Sequence, residues 1–218
     1  TGDLGDNTRS IRHDIRSDAL LARIMEQAPD CQTYLAHTRW ASVGAINIPN
    51  CHPVNNSTLT EEGAVVSEKS YPCYGKGKWS IRAVLNGDVD NYLEIKAASE
   101  SAGRLVDSRV TTDAKSIPLQ VERHLLGGDD LKEAFRKAVS SFEGSHAIAV
   151  ESNLEPGRVY LALRGSGQSL FVGLSPHQYL FASEVYGLIE ETPFFIKMDG
   201  ERPRVPGDSR TAGQVFIL

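Results

Sequence analysis

The sequence predicts an α+β fold in which antiparallel strands make two sheets and the helices stand apart from them. Three observations lead there. A single strand pattern at Ser80–Leu85 is followed by three consecutive helical patterns. After Gly144 the apolar period changes from helical to alternating, and it stays alternating to the end of the chain. The late strands follow one another through Pro, Gly and Ser turns with no helix between them, which is antiparallel order and not βαβ order. Short strands of this kind cover both faces most simply as two packed sheets between helical layers.

The elements follow in order. Residues 1–18 carry many charges and few large apolar groups, so they read as a loop or flexible arm. Ala19 to Met25 is a short helical candidate closed off before Pro29, and Thr33 to Thr38 reads as a strand running into Arg39. Ala45 to Lys78 is rich in Asn, Pro, Gly, Ser and Tyr and reads as long connecting structure. The Ser80–Leu85 strand ends at the turn dipeptide Asn86-Gly87. Tyr92, Ile95, Ala98 and Ala102 share one helical face, with Gly103 as the stop. Ile117, Val121 and Leu125 mark a second helix, in which Pro118 is tolerable only near the first turn. Leu131, Phe135, Ala138, Val139 and Phe142 form the clearest stripe, with Asp129 or Asp130 as N-cap. Ala147–Glu151, Arg158–Leu163, Leu170–Leu174, Tyr179–Ala182, Phe194–Met198 and Val215–Leu218 read as strands.

Composition narrows the function. The 218 residues are 40% hydrophobic, enough for a full core and most simply one domain. The formal net charge is −5 with acids and bases interleaved, which argues against nucleic acid or an anionic membrane as the main partner. No apolar run approaches the roughly 20 residues of a membrane span, and no signal peptide is visible in the polar residues 1–18, so a cytoplasmic protein is expected. Cys31, Cys51 and Cys73 stand 20 and 22 residues apart, which is neither a metal knuckle nor an even disulfide set. Six scattered histidines without an HxxxH pair give no reason to expect a metal, and no motif calls for a cofactor.

Several residues can carry chemistry. Arg39 ends the first strand before Trp40 and the small run Ala41-Ser42-Val43-Gly44; a guanidinium there can hold a carboxylate by two parallel hydrogen bonds. A surface ion pair beside a core tryptophan is the alternative. His52, before Pro53 in a loop, can orient a substrate, or is simply a locally hydrogen-bonded histidine. Asn86-Gly87 can offer a side-chain amide and a backbone N–H to an oxyanion, a donor typically worth about 2.7–4 kcal/mol, or can be a plain strand-ending turn. Thr112-Asp113 can set a carboxylate against an ammonium group or cap a helix.

The combination is more specific than its parts. His37 through Pro53 meets the pattern HTRWATHGxPxxxNAHP without a gap, matching at His37, Thr38, Arg39, Trp40, Ala41, Gly44, Asn50, His52 and Pro53. Leu85 through Lys96 meets HNGIIENYxELK, and Ser108 to Lys115 echoes SETDTE with Thr112-Asp113 retained. Gly144–Val150, Arg164-Gly165-Ser166 and Phe181–Glu184 resemble GAYALAV, RxGSPL and FLASD. On these segments residues 19–218 resemble the glutaminase domain of glutamine–fructose-6-phosphate aminotransferase, a class II glutamine amidotransferase. The resemblance implies a four-layer αββα sandwich of the N-terminal-nucleophile type. It implies that Arg39, helped by Ser42, binds the α-carboxylate of glutamine or glutamate and that Asp113 binds the α-ammonium. Asn86 and Gly87 would form the oxyanion hole, Trp40 would belong to the closing loop, and His52 would lie near the pocket. It further implies a sugar-phosphate acceptor handled by another domain and a homodimeric parent enzyme.

Three departures from the family pattern stand out. Val43 replaces a loop histidine. Residues 55–78 form an insertion near the pocket mouth. The family's CGIxG opening, with its nucleophilic cysteine, is not in this sequence; Cys31 and Cys51 do not match its position, and Thr1 lies in a polar stretch unlike it. A fragment of a longer enzyme is the expected explanation. The alternative is a non-catalytic glutaminase-like module that binds an amino acid or a partner and regulates.

Overall fold

The computed structural model describes residues 5–27, 32–208 and 211–218. The chain divides into two compact units, Thr1–Gln32 and Thr33–Leu218. Thr1, Pro29 and Cys31, to which the sequence reading gave weight, lie outside the described residues.

The first unit corrects one expectation. Within the expected arm, Asp6–Ser17 is a helix, α1, followed by α2 at Ala19–Glu26. A low apolar content does not prevent helix formation where arginines dominate and Arg9 can pair with Asp6 one turn earlier. Asp18 separates the two helices and caps the second, accepting from the Leu20 and Leu21 N–H groups at 2.9 Å each.

The second unit holds the sheets. Its strands begin with β1 (Val54–Asn55), β2 (Lys69–Tyr71), β3 (Gly75–Gly77) and β4 (Ile81–Gly87). The helices α3 (Tyr92–Ser101), α4 (Ser116–Leu126) and α5 (Leu131–Ser141) come next. Six strands close the chain: β5 (His146–Ser152), β6 (Val159–Arg164), β7 (Phe171–Ser175), β8 (Gln178–Ala182), β9 (Phe195–Lys197) and β10 (Gln214–Ile217). They pair antiparallel throughout, as a five-stranded sheet β1-β4-β5-β6-β10, a three-stranded sheet β8-β7-β9 and the β2-β3 hairpin.

Alternation along the central strands builds two cores. Ile81, Ala83 and Leu85 of β4, with Ile148, Val150, Tyr160 and Ala162, face the helices and pack on Ile117, Val121, Leu125, Phe135 and Ala138. The opposite side chains, Val84, Ala147, Ala149, Leu161 and Leu163, meet Leu170, Val172 and Met198 of the smaller sheet. Helices, large sheet and small sheet are thus three successive layers of this unit. Asp130 caps α5 through the Glu133 N–H at 2.8 Å, and Pro118 sits in the first turn of α4 as expected.

Three expectations need revision. Thr33–Thr38 was expected as a strand; Leu35, His37 and Arg39 are indeed half-buried between exposed neighbours, but no ladder forms on this stretch among the described residues. Side-chain period assigns faces, whereas a strand also needs a hydrogen-bonding neighbour. The buried positions of α3 are Ile95 and Ser99, not Ala98, because the helix turns its i, i+4 pair inward. Nor is the 55–78 segment a mere connection. It folds as the β2-β3 hairpin, buries Tyr71 completely, and is pinned to α4 through Glu122. Glu122 accepts from Asn56 Nδ2 at 2.7 Å and Tyr71 OH at 2.6 Å, and is ion-paired with Lys69 and Arg104.

Among the described residues no helix is long and apolar enough to cross a membrane.

Candidate functional site

The site forms where β4 runs out of partners. In an antiparallel ladder the N–H groups of one strand point alternately to its two neighbours. Leu85 sends its N–H toward the β1 side, where His52 Nδ1 receives it at 3.4 Å. Gly87, two residues on, therefore presents its N–H to the same side, beyond the end of β1, while Asp88 turns its own back to the Ser145 carbonyl at 3.0 Å. Asn86 and Gly87 are not the strand-ending turn that was the alternative; both remain paired in β4, opposite Ala147 and His146. Gly87 has φ +103°, and a Cβ there would collide with the Ser145 carbonyl oxygen, so the position accepts only glycine. The Asn86 side chain is exposed and makes no hydrogen bond among the described residues.

The loop after Arg39 faces this corner. Arg39 donates to the Ala45 carbonyl at 3.1 Å and to the Val43 carbonyl, folding the loop around its own guanidinium. With these two bonds made, other guanidinium N–H groups remain for a ligand. Gly44 (φ +87°) lies so close to the 111–112 backbone that an added Cβ would be 2.8 Å from Thr111 C and Thr112 N. Asn50 ties the same contact from the other end. Its amide donates to the Ala45 carbonyl at 3.0 Å and to Thr111 Oγ1 at 3.1 Å, and its oxygen accepts from the Thr111 and Thr112 N–H groups at 2.7 and 3.0 Å. Trp40 is 94% exposed, so it is no core residue beside a surface ion pair.

Asp113 is buried and is not a helix cap of the ordinary kind. It accepts from the Val89 N–H and the Ala114 N–H, both at 3.0 Å, and so joins the chain after β4 to the start of α4. Burial raises its pKa, the two backbone bonds oppose that rise, and the Asp88 carboxylate adds to it. Asp88 in turn accepts from Ser42 Oγ at 2.7 Å. Two carboxylates thus stand near one another, and among the described residues no cation is hydrogen-bonded to either. His52 and His37 lie with ring centroids 4.7 Å apart. The His52 pKa is pushed down to about 4, chiefly by burial and then by His37 and Arg39. Burial, followed by Arg39, lowers that of His37. Both rings are therefore neutral near pH 7.

All seven residues singled out from the sequence, Arg39, Trp40, Ser42, His52, Asn86, Gly87 and Asp113, line one cavity of about 280 Å³. Sequence reasoning assigned no role to four further residues. His37 and Asp88 line the cavity from inside the quoted motifs, and Asn50 sets the loop. Gln168, also in the wall, follows β6 and carried no sequence signal. The described cysteines, Cys51 and Cys73, are free, exposed and absent from the cavity lining. Among the described residues no cluster of side chains suits a metal ion.

Two antiparallel sheets stacked face to face, helices outside the larger one, and a polar cavity at the end of a central strand agree with the N-terminal-nucleophile type of fold that the sequence resemblance implied. Solved structures agree: "glutamine phosphoribosylpyrophosphate amidotransferase" from B. subtilis superposes with TM-score 0.51 at 16% identity, over 83% of this chain and 33% of that one. The "allosteric regulatory enzyme of purine biosynthesis" gives TM-score 0.50 at 20% identity, over 69% and 27%. No family model matches the chain. Its sequence relatives include glutamine–fructose-6-phosphate aminotransferase (isomerizing) of Methanothermobacter thermautotrophicus, 34% identical over 177 residues, 81% of this chain and 26% of that protein. The enzyme of the same name from Clostridium tetani is 32% identical over 158 residues, 72% and 22% respectively. The chain belongs to the glutamine amidotransferases of the N-terminal-nucleophile class and corresponds to the glutaminase domain of these relatives. It spans about a quarter of their length.

Proposed function

We propose that this chain forms the glutamine site of an amidotransferase that releases ammonia from glutamine and passes it to an acceptor, a sugar phosphate by analogy with the relatives' name. The observation that carries the reading is the mixed charge of one small cavity, with a guanidinium and, among the described residues, two carboxylates without a cation bonded to them, a free side-chain amide and an unspent backbone N–H. A zwitterionic amino acid with a neutral amide end matches that set group by group.

In this reading Arg39 takes the α-carboxylate through a fork of parallel hydrogen bonds. Asp113, joined by Asp88, takes the α-ammonium, whose charge offsets the burial, and after it the Asp88 repulsion, that raise the Asp113 pKa. Ser42 exchanges its bond to Asp88 for one to the carboxylate. Asn86 Nδ2–H and the Gly87 N–H receive the oxygen of the side-chain amide. When a cysteine thiolate attacks the amide carbon, the C=O electrons move onto that oxygen, and the two donors hold the charge. Collapse of the tetrahedral intermediate breaks the C–N bond, the nitrogen leaving as ammonia with the proton that the thiol had given to its base. Water then cleaves the thioester to glutamate and the free thiol. Neither Cys51 nor Cys73 lines the cavity, so the reading requires a thiol other than theirs. His52 accepts from the Leu85 N–H and His37 lies against its ring, and both, being neutral, add no charge. Trp40, fully exposed on the loop, closes over the bound substrate.

The test uses the full-length protein that carries this chain. It should form glutamate from glutamine and be inactivated by a cysteine-directed glutamine analogue. Absence of glutamate from a folded full-length sample would refute the hydrolytic reading. Arg39→Ala should abolish glutamate binding, and unchanged affinity would remove the pocket assignment itself.

A further inference from the structure

The opposite face of the same strand ends holds a second cavity, of about 290 Å³, and it differs in kind. Even-numbered residues of β5 and β6 face the helices, so His146 and Arg164, at the two paired ends, point away from the glutamine site and toward α5. Arg136 of α5 and Arg204 line the cavity with them, together with Thr211 and Gln214 beside β10. Among the described residues no carboxylate is in the wall.

His146 is completely buried, at 0% exposure, and neither ring nitrogen meets a hydrogen-bond partner in good geometry. Burial and then Arg164 press its pKa down to about 4, although the nearby Asp88 backbone opposes the fall slightly. Its ring is therefore a neutral imidazole packed in the cavity wall. Buried polar atoms are almost always paired, and an orphaned one calls for a bound group. The three guanidiniums are unevenly satisfied. Arg136 is forked onto Glu133, which is not in the wall. Arg164 spends one N–H on the Phe142 carbonyl at 2.9 Å. The Arg204 guanidinium makes no hydrogen bond among the described residues.

We propose that this cavity binds the phosphate group of a small phosphate monoester. Guanidinium donors stand in the wall from α5, from the end of β6 and from the 204 segment. They outnumber what the two oxygens of a carboxylate can accept, and they suit the three free oxygens of a phosphate ester. The volume exceeds that of the anion alone and leaves room for a small organic part. This proposal stands independently of the glutamine reading, because it uses none of the residues of that site.

The test is calorimetric titration of the full-length protein with inorganic phosphate, ionic strength held constant with chloride, and acetate as a parallel ligand. The expected result is saturable phosphate binding, weakened about tenfold or more by Arg204→Gln, with acetate producing no saturable heat. Arg204 lies on an exposed segment, so its variant should melt at the wild-type temperature. Arg164→Gln should weaken binding likewise. Absence of saturable phosphate binding, equal affinity in Arg204→Gln, or acetate binding as well as phosphate would each overturn the proposal.

Discussion

Two carboxylates lie buried nine residues apart around the start of α4, and their surroundings are opposite. Glu122, 1% exposed, is saturated: two cations, a phenol and an amide converge on its two oxygens. Asp113, 4% exposed, is held by two backbone N–H groups and the Thr112 hydroxyl, with a second carboxylate as its charged neighbour. A buried carboxylate that already has its cations is part of the frame. One that is desolvated, oriented and left without a counter-ion is poised for a charge that arrives with a ligand. Burial alone does not separate the two; the inventory of donors does.

The sharpest way to break the contrast is Glu122→Ala. It would leave Lys69 and Arg104 uncompensated under the β2-β3 hairpin, and losing one partner of such a pair costs roughly 3–5 kcal/mol. Urea unfolding should show this loss, and a change below about 1 kcal/mol would mean the network is solvated and carries no structural weight. Asp113→Asn should behave in the opposite way. Asparagine keeps one acceptor oxygen for the Val89 N–H but removes the charge, so glutamate binding should weaken about 100-fold, or roughly 2.7 kcal/mol, while stability changes by no more than about 1 kcal/mol. If Asp113→Asn unfolds the protein and leaves affinity intact, the two residues have been assigned the wrong way round.

How much of this was legible beforehand follows the same division. The strands after Gly144 and the stripes of α4 and α5 were readable because a buried face imposes its period on the sequence. The seven pocket residues were readable because motif order brought together positions that a lone Arg or Asn-Gly would not. The Glu122 network was not readable. Its five members come from residues 56, 69, 71, 104 and 122, and no local pattern announces an ion pair that closes only in space. Asn50 stood inside a matched motif, yet its work of joining two backbone segments appears only once Thr111 is beside it. The Thr33–Thr38 period predicted the faces of that stretch correctly and its ladder wrongly, since hydrogen-bonding partners are not encoded in alternation.

Acid titration probes a second pair of residues, one on each face of the β4–β6 ends. His52 and His146 both have folded pKa values near 4, below the ordinary value of about 6.5. A base with a depressed folded pKa is protonated first in the unfolded chain, so between about pH 6.5 and 4 the unfolded state binds more protons. Stability is therefore complete above pH 6.5 and falls as the pH drops toward 4, by roughly 1–3 kcal/mol for the fully buried His146 and less for half-buried His52. Urea midpoints at pH 7.5 and 4.5 should show the decline, and His146→Gln should flatten it more than His52→Gln. A flat wild-type profile would mean that water reaches both rings.

The smallest effect belongs to Ser42, and its smallness is informative. Its hydroxyl is given to Asp88 Oδ1 at 2.7 Å, so using it for a ligand carboxylate breaks one charge-assisted bond to make another. Removing the hydroxyl deletes both, and the two losses largely cancel. Ser42→Ala should therefore weaken glutamate binding by only about 0.5–1.5 kcal/mol, far less than Asp113→Asn, and its effect should grow in an Asp88→Asn background, where the bond given up on binding is weaker. An effect as large as that of Asp113→Asn would show that Ser42 has no alternative partner to give up, and that Asp88 is held elsewhere when the ligand binds.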